Sequence, residues 1–367
     1  MNKKILIGAI SAAVVFSVLL FIIIFNINNP KKAFYSQSNE VTVPTDLSNK
    51  GKENSTNEST TEVGTNDFYN PLTGLYVTED LSSKRPIVVM LDNFYSARPQ
   101  AALSEADIIY EVLAEGLITR YMAVFYSQLP EHVGPVRSSR PYFVEKALEF
   151  NPLYVHVGGS MQAMSDIRKF ELADMDGLTS SAFWREKHKK APHNMYTSSE
   201  ALIAEAKRLK YEDKVTLDFL DFNTEFVDLN GITANEITFV YKEPLKNDPV
   251  GYYTSYKYND EKKLYFRYTN GTPHLDENTK THLTCTNILV QYANTKVLDN
   301  EGRLDVDLVT SGKGKYYTGG KVIEVTWSKK SAQSKTEFWD LNGLPIKLNP
   351  GVTWFQIMKS GITESIK

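Results

Sequence analysis

The chain opens with a long apolar run, the first strong pattern among its hydrophobic and polar positions. Residues 5–25 carry no charged side chain. A helix of that length, rising about 1.5 Å per residue, spans the roughly 30 Å hydrocarbon core of a bilayer. Because Lys3 and Lys4 precede the run, the positive-inside tendency predicts a cytoplasmic tip over residues 1–4, a transmembrane signal-anchor over residues 5–25 and a body outside the cell membrane.

A cleaved signal peptide is the alternative to this anchor. Signal peptides have a shorter apolar core and a small-residue cleavage site, and the sequence Phe-Asn-Ile-Asn at 25–28 offers no such site. A lipoprotein signal needs a cysteine just after the apolar run, whereas the single cysteine of the chain is Cys285. We therefore favour an uncleaved anchor over cleavage.

Residues 26–66 are rich in Asn, Ser, Thr, Lys and Glu, and their few apolar positions follow no period. This composition predicts a disordered linker. A flexible chain of about 40 residues has an r.m.s. span of roughly 35 Å. Such a linker would keep the folded part close to the membrane surface.

Continuous apolar runs, which indicate strands buried on both faces, alternate with helical periods over residues 67–225. This alternation predicts an α/β N-terminal domain, a mixed sheet with flanking helices. Its predicted elements are buried strands at 87–93 and 153–157, a hairpin at 106–127 that turns at Gly116 and Leu117, and helices at 141–150, 161–170 and 199–210.

Residues 226–367 change to short alternating strands separated by turn dipeptides such as Asn270-Gly271 and Asn342-Gly343. Strands with turn signals at regular spacing predict a mostly-β C-terminal domain, with Cys285 in its core. Between the two patterns, the segment 172–194 has no clear period. Long loops in compact domains are usually functional or disordered, and we predict an ordered loop that lines a site.

Composition narrows the possible functions. The net charge is −3, with 42% hydrophobic and 23% charged residues, which is ordinary for a globular protein. No strong positive field favours nucleic acid, so none is predicted as a partner. A single cysteine excludes an internal disulfide, and an exported body would depend on its core instead.

Polar residues gather where the predicted strands end. Asp92 and Asn93 close the first buried strand, and Arg98 and Gln100 follow in the next loop. The region past the C-terminal end of a buried strand is a common place for a site. These four residues are therefore candidates for binding.

The predicted hairpin supplies two carboxylates. Glu111 and Glu115 share one face of a strand. If Glu115 pairs with Ile118, then Arg120 lies diagonal to both. The carboxylates would stand about 13 Å apart, which exceeds the roughly 5–9.5 Å of glycosidase pairs.

Arg137, Ser138 and Arg140 precede the helix predicted from Pro141. Arginines at a helix N-terminus oppose the macrodipole. Two arrangements would compensate: internal pairing with Glu111 or Glu115, or a bound phosphate or carboxylate. We favour internal pairing and keep the bound anion as the alternative.

Histidines do not form a metal pattern. His188 and His193 are separated by Pro192 at a spacing that suits metal poorly, and His156 in the second buried strand is expected to be a satisfied core histidine. We predict no metal and no cofactor.

The motifs RPIVVMLDN, ADIIYEVLAEGLITRYMAVF, GPVRSSRPY, HVGGS and APHNMYTS together resemble the YerB-like family of bacterial envelope proteins. The resemblance runs from about Asn70 to about Lys359 and implies an N-terminal and a C-terminal YerB-like domain at the cell envelope. Many members look like lipoproteins, and this chain departs from them because it lacks the lipidation cysteine. The family has no settled activity, so the resemblance implies location and fold more than chemistry. The positions that match its recurring polar pattern are Asp92, Asn93, Arg98, Gln100, Glu111, Glu115, Arg120, Arg137, Ser138, Arg140, His156, Arg185, His193 and Asn194.

Two functions fit these observations. The first is a membrane-anchored extracytoplasmic protein that binds a cell-wall polymer or an envelope protein partner through an Arg-, Glu- and His-lined cleft in the N-terminal domain. The second is a hydrolase or transferase acting on an anionic envelope polymer, with Glu111 and Glu115, or Asp92 with His156 or His193, as acid–base pair. The absence of Ser-x-x-Lys and His-Glu-x-x-His motifs favours binding.

Overall fold

Our computed structural model of the chain describes residues 68–212, 214–244 and 251–367. The predicted anchor at 5–25 and the predicted linker at 26–66 lie outside these residues. Within the described ranges, none of the helices has both the length and the apolar character needed to cross a bilayer.

Helices are few in the part of the chain that the structure describes. Pro141 occupies the first turn of α1, where its missing N–H costs nothing. The Ser160 and Ser198 hydroxyls cap the next two helices by accepting from backbone N–H groups at 3.2 and 3.1 Å. The described α-helices are α1 (Pro141–Ala147), α2 (Met161–Lys169) and α3 (Ser199–Leu209), and short 3-10 helices occur at Tyr95–Ala97, Leu103–Glu105 and Glu115–Leu117.

Strands make up most of the regular structure in the same ranges. Those of the first half are β1 (Phe68–Tyr69), β2 (Tyr76–Val77), β3 (Ile87–Leu91), β4 (Ile108–Leu113), β5 (Thr119–Phe125), β6 (Leu153–His156), β7 (Ala173–Asp176), β8 (Phe183–Arg185) and β9 (Met195–Thr197). Those of the second half are β10 (Ile232–Thr233), β11 (Glu236–Lys242), β12 (Tyr252–Asn259), β13 (Leu264–Thr269), β14 (Thr272–Pro273), β15 (Thr284–Cys285), β16 (Asn287–Ala293), β17 (Thr295–Val297), β18 (Leu304–Val306), β19 (Ser311–Thr318), β20 (Lys321–Ser328), β21 (Glu337–Asp340), β22 (Thr353–Lys359) and β23 (Thr363–Ile366).

One large mixed sheet crosses both halves of the chain. Its strand order is β10-β20-β19-β16-β22-β4-β5-β3-β6-β7, with β21 paired to β20. Strand β22 from the C-terminal half runs parallel to β4 from the N-terminal half, and Gln356 lies opposite Glu111. The two halves therefore share backbone hydrogen bonds as well as side-chain contacts.

A second sheet belongs to the C-terminal half alone. Its order is β14-β13-β12-β11-β23, with β15 paired to β13. Burial alternates along β11 and β13, so one face of this sheet is directed into the core, as expected for a sheet with one solvated side. The result is a β-rich two-domain fold with few helices, and Cys285 is buried in it as predicted.

The segment 172–194 corrects one prediction. It is not a single irregular loop, because Ala173–Asp176 forms β7 at the edge of the large sheet and Phe183–Arg185 forms β8. Strand β7 is only four residues long and half-buried, which is too short to show a clear period in sequence.

The hairpin of β4 and β5 has a different register from the predicted one. The turn lies at residues 115–117 as expected, but Arg120 pairs with Val112 and Glu111 pairs with Tyr121. A shift of one residue moves side chains to the opposite face of a sheet. Arg120 therefore projects away from Glu111, and the predicted diagonal contact between them is wrong.

Glu111 instead meets a buried cation from the other half. Arg267 on β13 donates through Nη2 to Glu111 Oε2 at 2.5 Å, and both side chains are fully buried. The guanidinium carbon lies 4.4 Å from the centroid of the Trp354 ring on β22, a distance that suits a cation–π contact. This pair links the smaller sheet to the large sheet.

Neutral groups complete the hydrogen bonds of Glu111. Its Oε1 accepts from Thr119 Oγ1 at 2.6 Å and from Tyr252 OH at 2.8 Å, and its Oε2 accepts from Gln356 Nε2 at 3.0 Å. Burial by itself raises the pKa of Glu111, but the Arg267 charge and these hydrogen bonds outweigh burial and lower the pKa below its ordinary value. Glu111 is therefore an anion in the folded protein at neutral pH.

Arg267 also holds a neutral histidine. Its Nη1 lies 2.8 Å from His274 Nδ1, and His274 Nε2 lies 2.8 Å from Gln100 Oε1. Burial, together with the Arg267 charge, lowers the pKa of His274 well below its usual value. The neutral ring accepts from Arg267 and donates to Gln100, which extends the network to the loop after β3.

A second buried ion cluster also joins the halves. Lys146 on α1 and Lys329, just after β20, contact Glu149 Oε1 at 3.1 and 3.0 Å. Thr336 donates its backbone N–H to Glu149 Oε2 at 3.1 Å. A carboxylate of the N-terminal half thus neutralises Lys329 of the C-terminal half.

Replacing Arg267 with Met should strongly destabilise the fold. The change leaves the Glu111 carboxylate buried without its counter-ion, and breaking a buried pair in this way costs roughly 3–5 kcal/mol. Urea unfolding followed by tryptophan fluorescence measures the loss, and the Arg267→Met/Glu111→Gln double variant should lose less than the sum of the single variants. The control is Lys263→Met, which removes an exposed pair with Asp260 and should change little. Equal losses for Arg267→Met and Lys263→Met would contradict the role of the buried pair.

The lowered pKa of Glu111 predicts a defined loss of stability in acid. Its contribution is present above the ordinary carboxyl pKa of 4.5 and is lost as pH falls through the lower folded-state value. The unfolding free energy of the wild type should therefore fall more steeply between pH 5 and pH 3 than that of Glu111→Gln. Parallel curves for the two proteins would show that Glu111 does not titrate as inferred.

Candidate functional site

Polar residues collect at the edge of the large sheet that is formed by the ends of its strands, not by its outermost strand. Strand β5 is antiparallel to β3, and β6 is parallel to β3. The C-terminal ends of β3 and β6 therefore lie beside the start of β5. The chain then brings the loop at 131–140 across this edge, where Arg137 donates its backbone N–H to Met90 O at 2.8 Å and accepts from Val157 N at 3.1 Å.

Four sequence candidates lie beneath this edge in the buried network. Gln100 Nε2 donates to Asp92 O at 2.9 Å, and Asn93 Nδ2 donates to Tyr252 OH at 2.7 Å. Arg98 Nε donates to Asn93 Oδ1 at 3.0 Å. Asn93, Gln100 and Glu111 are buried, so in this structure Asn93, Arg98, Gln100 and Glu111 connect the halves of the molecule.

A second group surrounds Glu115. Its Oε1 accepts from Arg140 Nε, and its Oε2 lies 3.5 Å from Arg120 Nη2. Arg120 Nη1 donates to Ser138 O at 2.6 Å. Burial raises the pKa of Glu115, but Arg140 and Arg120 outweigh burial and lower it. Arg140, which precedes α1, is therefore compensated internally, by Glu115 and not by Glu111.

A third group surrounds Asp92. Its Oδ2 lies 2.7 Å from His193 Nδ1 and 3.3 Å from Arg137 Nε. The His193 ring stacks on Phe94 with centroids 4.8 Å apart and 8° between the planes. Tyr95 follows in the same short turn and is 72% exposed. The Tyr95 ring contacts Phe94 with centroids 4.1 Å apart, so an exposed aromatic side chain adjoins the stacked pair of Phe94 and His193.

The remaining candidates lie outside these groups. Arg185 Nη1 donates to Asn194 Oδ1 at 2.8 Å, and the Arg185 side chain is exposed. His156 Nε2 lies 2.6 Å from Asp174 Oδ1, and its Nδ1 lies 2.9 Å from Gly158 O. His156 is fully buried and both ring nitrogens have partners, which is the arrangement of a satisfied core histidine.

Sequence reasoning missed Arg267, Tyr252 and His274. A signal was present for Arg267, because Tyr265, Arg267 and Thr269 occupy the inward positions of an alternating strand. An arginine on the apolar register of a strand predicts a buried cation. Its partner could not be identified, because 156 positions separate it from Glu111.

The charge balance of the edge favours an anion. Arg120, Arg137 and Arg140 face two carboxylates, Asp92 and Glu115. Burial and the neighbouring Arg140 charge lower the pKa of Arg120, so the cations repel one another. Among the residues that the structure describes, no group of three or more His, Cys, Asp or Glu side chains is placed to hold a metal ion.

Comparison with known proteins agrees with this architecture of paired β-rich domains. A model described as "Protein of unknown function (DUF3048) N-terminal domain" matches residues 72–212, and the corresponding C-terminal domain model matches residues 246–355. The chain belongs to this family. The resemblance to YerB-like proteins seen in the motifs is thereby confirmed.

Two relatives illustrate the similarity. The chain is 36% identical over 290 residues to "Putative lipoprotein YerB" of Bacillus subtilis (strain 168), an alignment that covers 78% of this chain and 85% of the relative. The crystal structure of YerB protein from Bacillus subtilis matches with a TM-score of 0.73 at 34% identity and covers 81% of this chain and 99% of that chain.

Replacing Glu115 with Gln should destabilise the protein and make its stability depend on added sulfate. The variant loses the carboxylate that neutralises Arg120 and Arg140, and a hydrogen bond to a charged group contributes roughly 1.5–3 kcal/mol. We expect a lower thermal unfolding temperature and partial rescue by millimolar sulfate, measured against sodium chloride of equal ionic strength. The exposed substitution Glu131→Gln is the control. Destabilisation of Glu115→Gln that chloride relieves as well as sulfate would show screening instead of anion binding.

Proposed function

We propose that this protein is held at the outer face of the cell membrane and binds an anionic component of the cell wall. Arg137 is the contact residue in this proposal. The apolar run at 5–25 and the name of the Bacillus subtilis relative, "Putative lipoprotein YerB", support membrane attachment.

The observation that carries the binding proposal is the state of the Arg137 guanidinium. Its Nε is oriented by Asp92 Oδ2 at 3.3 Å, and the side chain is 32% exposed. Within the described residues, neither Nη1 nor Nη2 has a hydrogen-bond partner. Two free N–H-bearing nitrogens on a planar, oriented guanidinium match the two oxygens of a carboxylate or phosphate.

The neighbouring side chains fit a saccharide that carries the anionic group. His193 and Phe94 form a stacked pair beside Asp92, and Tyr95 presents an exposed ring. Aromatic faces contribute large apolar area at low conformational cost. We define the Arg137 surface as Asp92, Phe94, Tyr95, Arg137 and His193.

Replacing Arg137 with Gln should weaken binding to isolated bacterial cell walls by about tenfold or more. A charge-assisted hydrogen bond contributes roughly 1.5–3 kcal/mol, and about 1.4 kcal/mol corresponds to tenfold. Co-sedimentation of the full-length protein in detergent measures the affinity. Arg168→Gln removes an exposed arginine from α2 and serves as the control. Equal affinities of the two variants would reject the Arg137 surface as the binding site.

A hydrolase or transferase is the second candidate, and the Asp92–His193 contact favours it. His193 Nδ1 lies against a carboxylate at 2.7 Å, an arrangement that orients a histidine as a general base. Glu111 does not offer this role because it is fully buried with Arg267. Release of soluble wall fragments by the wild type, and its loss in His193→Gln with binding retained, would establish catalysis.

Deleting residues 1–25 tests the attachment proposal separately. The shortened protein should appear in the soluble fraction after cell disruption, whereas the full-length protein should sediment with membranes and resist extraction by carbonate. Membrane sedimentation of the shortened protein would place the attachment elsewhere in the chain.

A further inference from the structure

A turn of the C-terminal half contacts two loops of the N-terminal half. The turn spans residues 274–283 and connects β14 to β15. Its Glu277 donates its backbone N–H to Gln100 O at 2.8 Å, in the loop that follows β3. The Glu277 side chain contacts the loop at 186–194, which connects β8 to β9. One residue of the C-terminal half therefore bridges both loops.

Three donors from the second loop and from β9 converge on the Glu277 carboxylate. Its Oε2 accepts from Lys189 Nζ and from Tyr196 OH, the latter at 2.8 Å, and its Oε1 lies 2.6 Å from His188 Nε2. Lys189 Nζ also donates to Pro99 O at 2.6 Å, so the same lysine reaches the first loop. The side chains of Glu277 and Lys189 are only 12% and 7% exposed. Salt therefore screens this pair less than it screens a surface pair.

Glu277 is ionised in this arrangement. Burial raises the pKa of its carboxyl group, but the hydrogen bonds from Lys189 and Tyr196 and the Lys189 charge outweigh burial and lower the pKa below its ordinary value. The carboxylate therefore attracts Lys189 at neutral pH. Glutamine at position 277 would remove this attraction and keep nearly the same shape.

The turn that presents Glu277 is held by hydrogen bonds of its own. Asp276 is fully buried. Its Oδ1 accepts from the backbone N–H groups of Asn278 and Thr279 at 2.7 and 3.2 Å, and its Oδ2 accepts from Ser104 N at 3.0 Å. Ser104 belongs to the N-terminal half, so the turn stays attached there without the Glu277 side chain. A substitution of that side chain should release the loop at 186–194 and leave the turn in place.

The loop held by Glu277 carries one side of the Arg137 surface. His193 donates its backbone N–H to Lys190 O at 2.9 Å, in a tight turn directly after Lys189. His193 Nδ1 contacts Asp92 at 2.7 Å, and the His193 ring stacks on Phe94. Asp92 and Phe94 directly follow β3 and form the other side. The spacing of these two sides therefore depends on the turn that contacts both loops.

We propose that Glu277 is a positioning residue for the Arg137 surface, through which the C-terminal half sets the geometry of a site built from N-terminal residues. Glu277 does not contact the ligand, and it acts through Lys189 and the loop that carries His193. The importance of this geometry for binding rests on the function proposed above. The effect of Glu277 on His193 can be measured without a ligand.

Nuclear magnetic resonance of the His193 ring tests the positioning role directly. The chain has six histidines, so the full-length protein in detergent with labelled histidine gives few ring signals, and the signal lost in His193→Gln is that of His193. Stacking on Phe94 shifts this signal through the ring current. At fixed pH, Glu277→Gln should move the signal toward its position in an unstructured peptide. Glu261→Gln, an exposed control in the C-terminal half, should leave it unchanged.

Variants on the loop side provide a second measurement. Lys189→Met removes the cation that Glu277 attracts and should move the His193 signal in the same direction. The double variant Glu277→Gln/Lys189→Met should move it no further than the larger single effect, because both changes remove the same contact. His188→Gln alters a side chain that is 48% exposed and should retain the fold with a smaller displacement. Circular dichroism establishes that each variant is folded.

Co-sedimentation with isolated cell walls measures the consequence for binding. The affinity of Glu277→Gln should fall by about tenfold or more, because a displacement of about 1 Å can weaken the interactions of a positioned group by such factors. A displaced His193 signal with unchanged wall affinity would support the positioning role and count against the Arg137 surface as the wall-binding site. An unchanged His193 signal in folded Glu277→Gln and Lys189→Met would overturn the proposal.

Discussion

The buried contact between Arg267 and Glu111 determines how the rest of this molecule is arranged. A charge without a counter-ion is very unfavourable in the core, so each of these two residues requires the other to be present. Glu111 comes from β4 and Arg267 from β13. Glu111 accepts directly from Gln356, and Arg267 reaches Gln100 through His274, which makes the pairing of the two halves a condition for satisfying the core.

This dependence explains why the polar residues of the N-terminal half have such different environments. Asn93 and Gln100 donate hydrogen bonds within the buried network. Arg137 lies nearby, but its Nη1 and Nη2 are available at the surface. Asp92 connects the two environments. Its backbone oxygen accepts from Gln100, and its carboxylate orients Arg137 and His193. A ligand at the surface is therefore held by side chains whose positions the core defines.

Much of the local structure could be predicted from the sequence. Strand β3 is an uninterrupted apolar run and is buried throughout, and the helix predicted from Pro141 begins at that residue. The register of β4 and β5 could not be predicted, since a turn of one more residue changes which side chains share a face. That single-residue difference sends Arg120 to Glu115 and leaves Glu111 to Arg267.

The sequence by itself determined most of the helices and strands and the family, because these depend on periodicity and on the order of residues along the chain. Tertiary structure alone decided that β22 pairs with β4 and that Arg267 neutralises Glu111. These contacts join residues that lie far apart in sequence. Their partners are selected by the requirement that buried charges and backbone groups be satisfied, which operates only once the whole chain is folded.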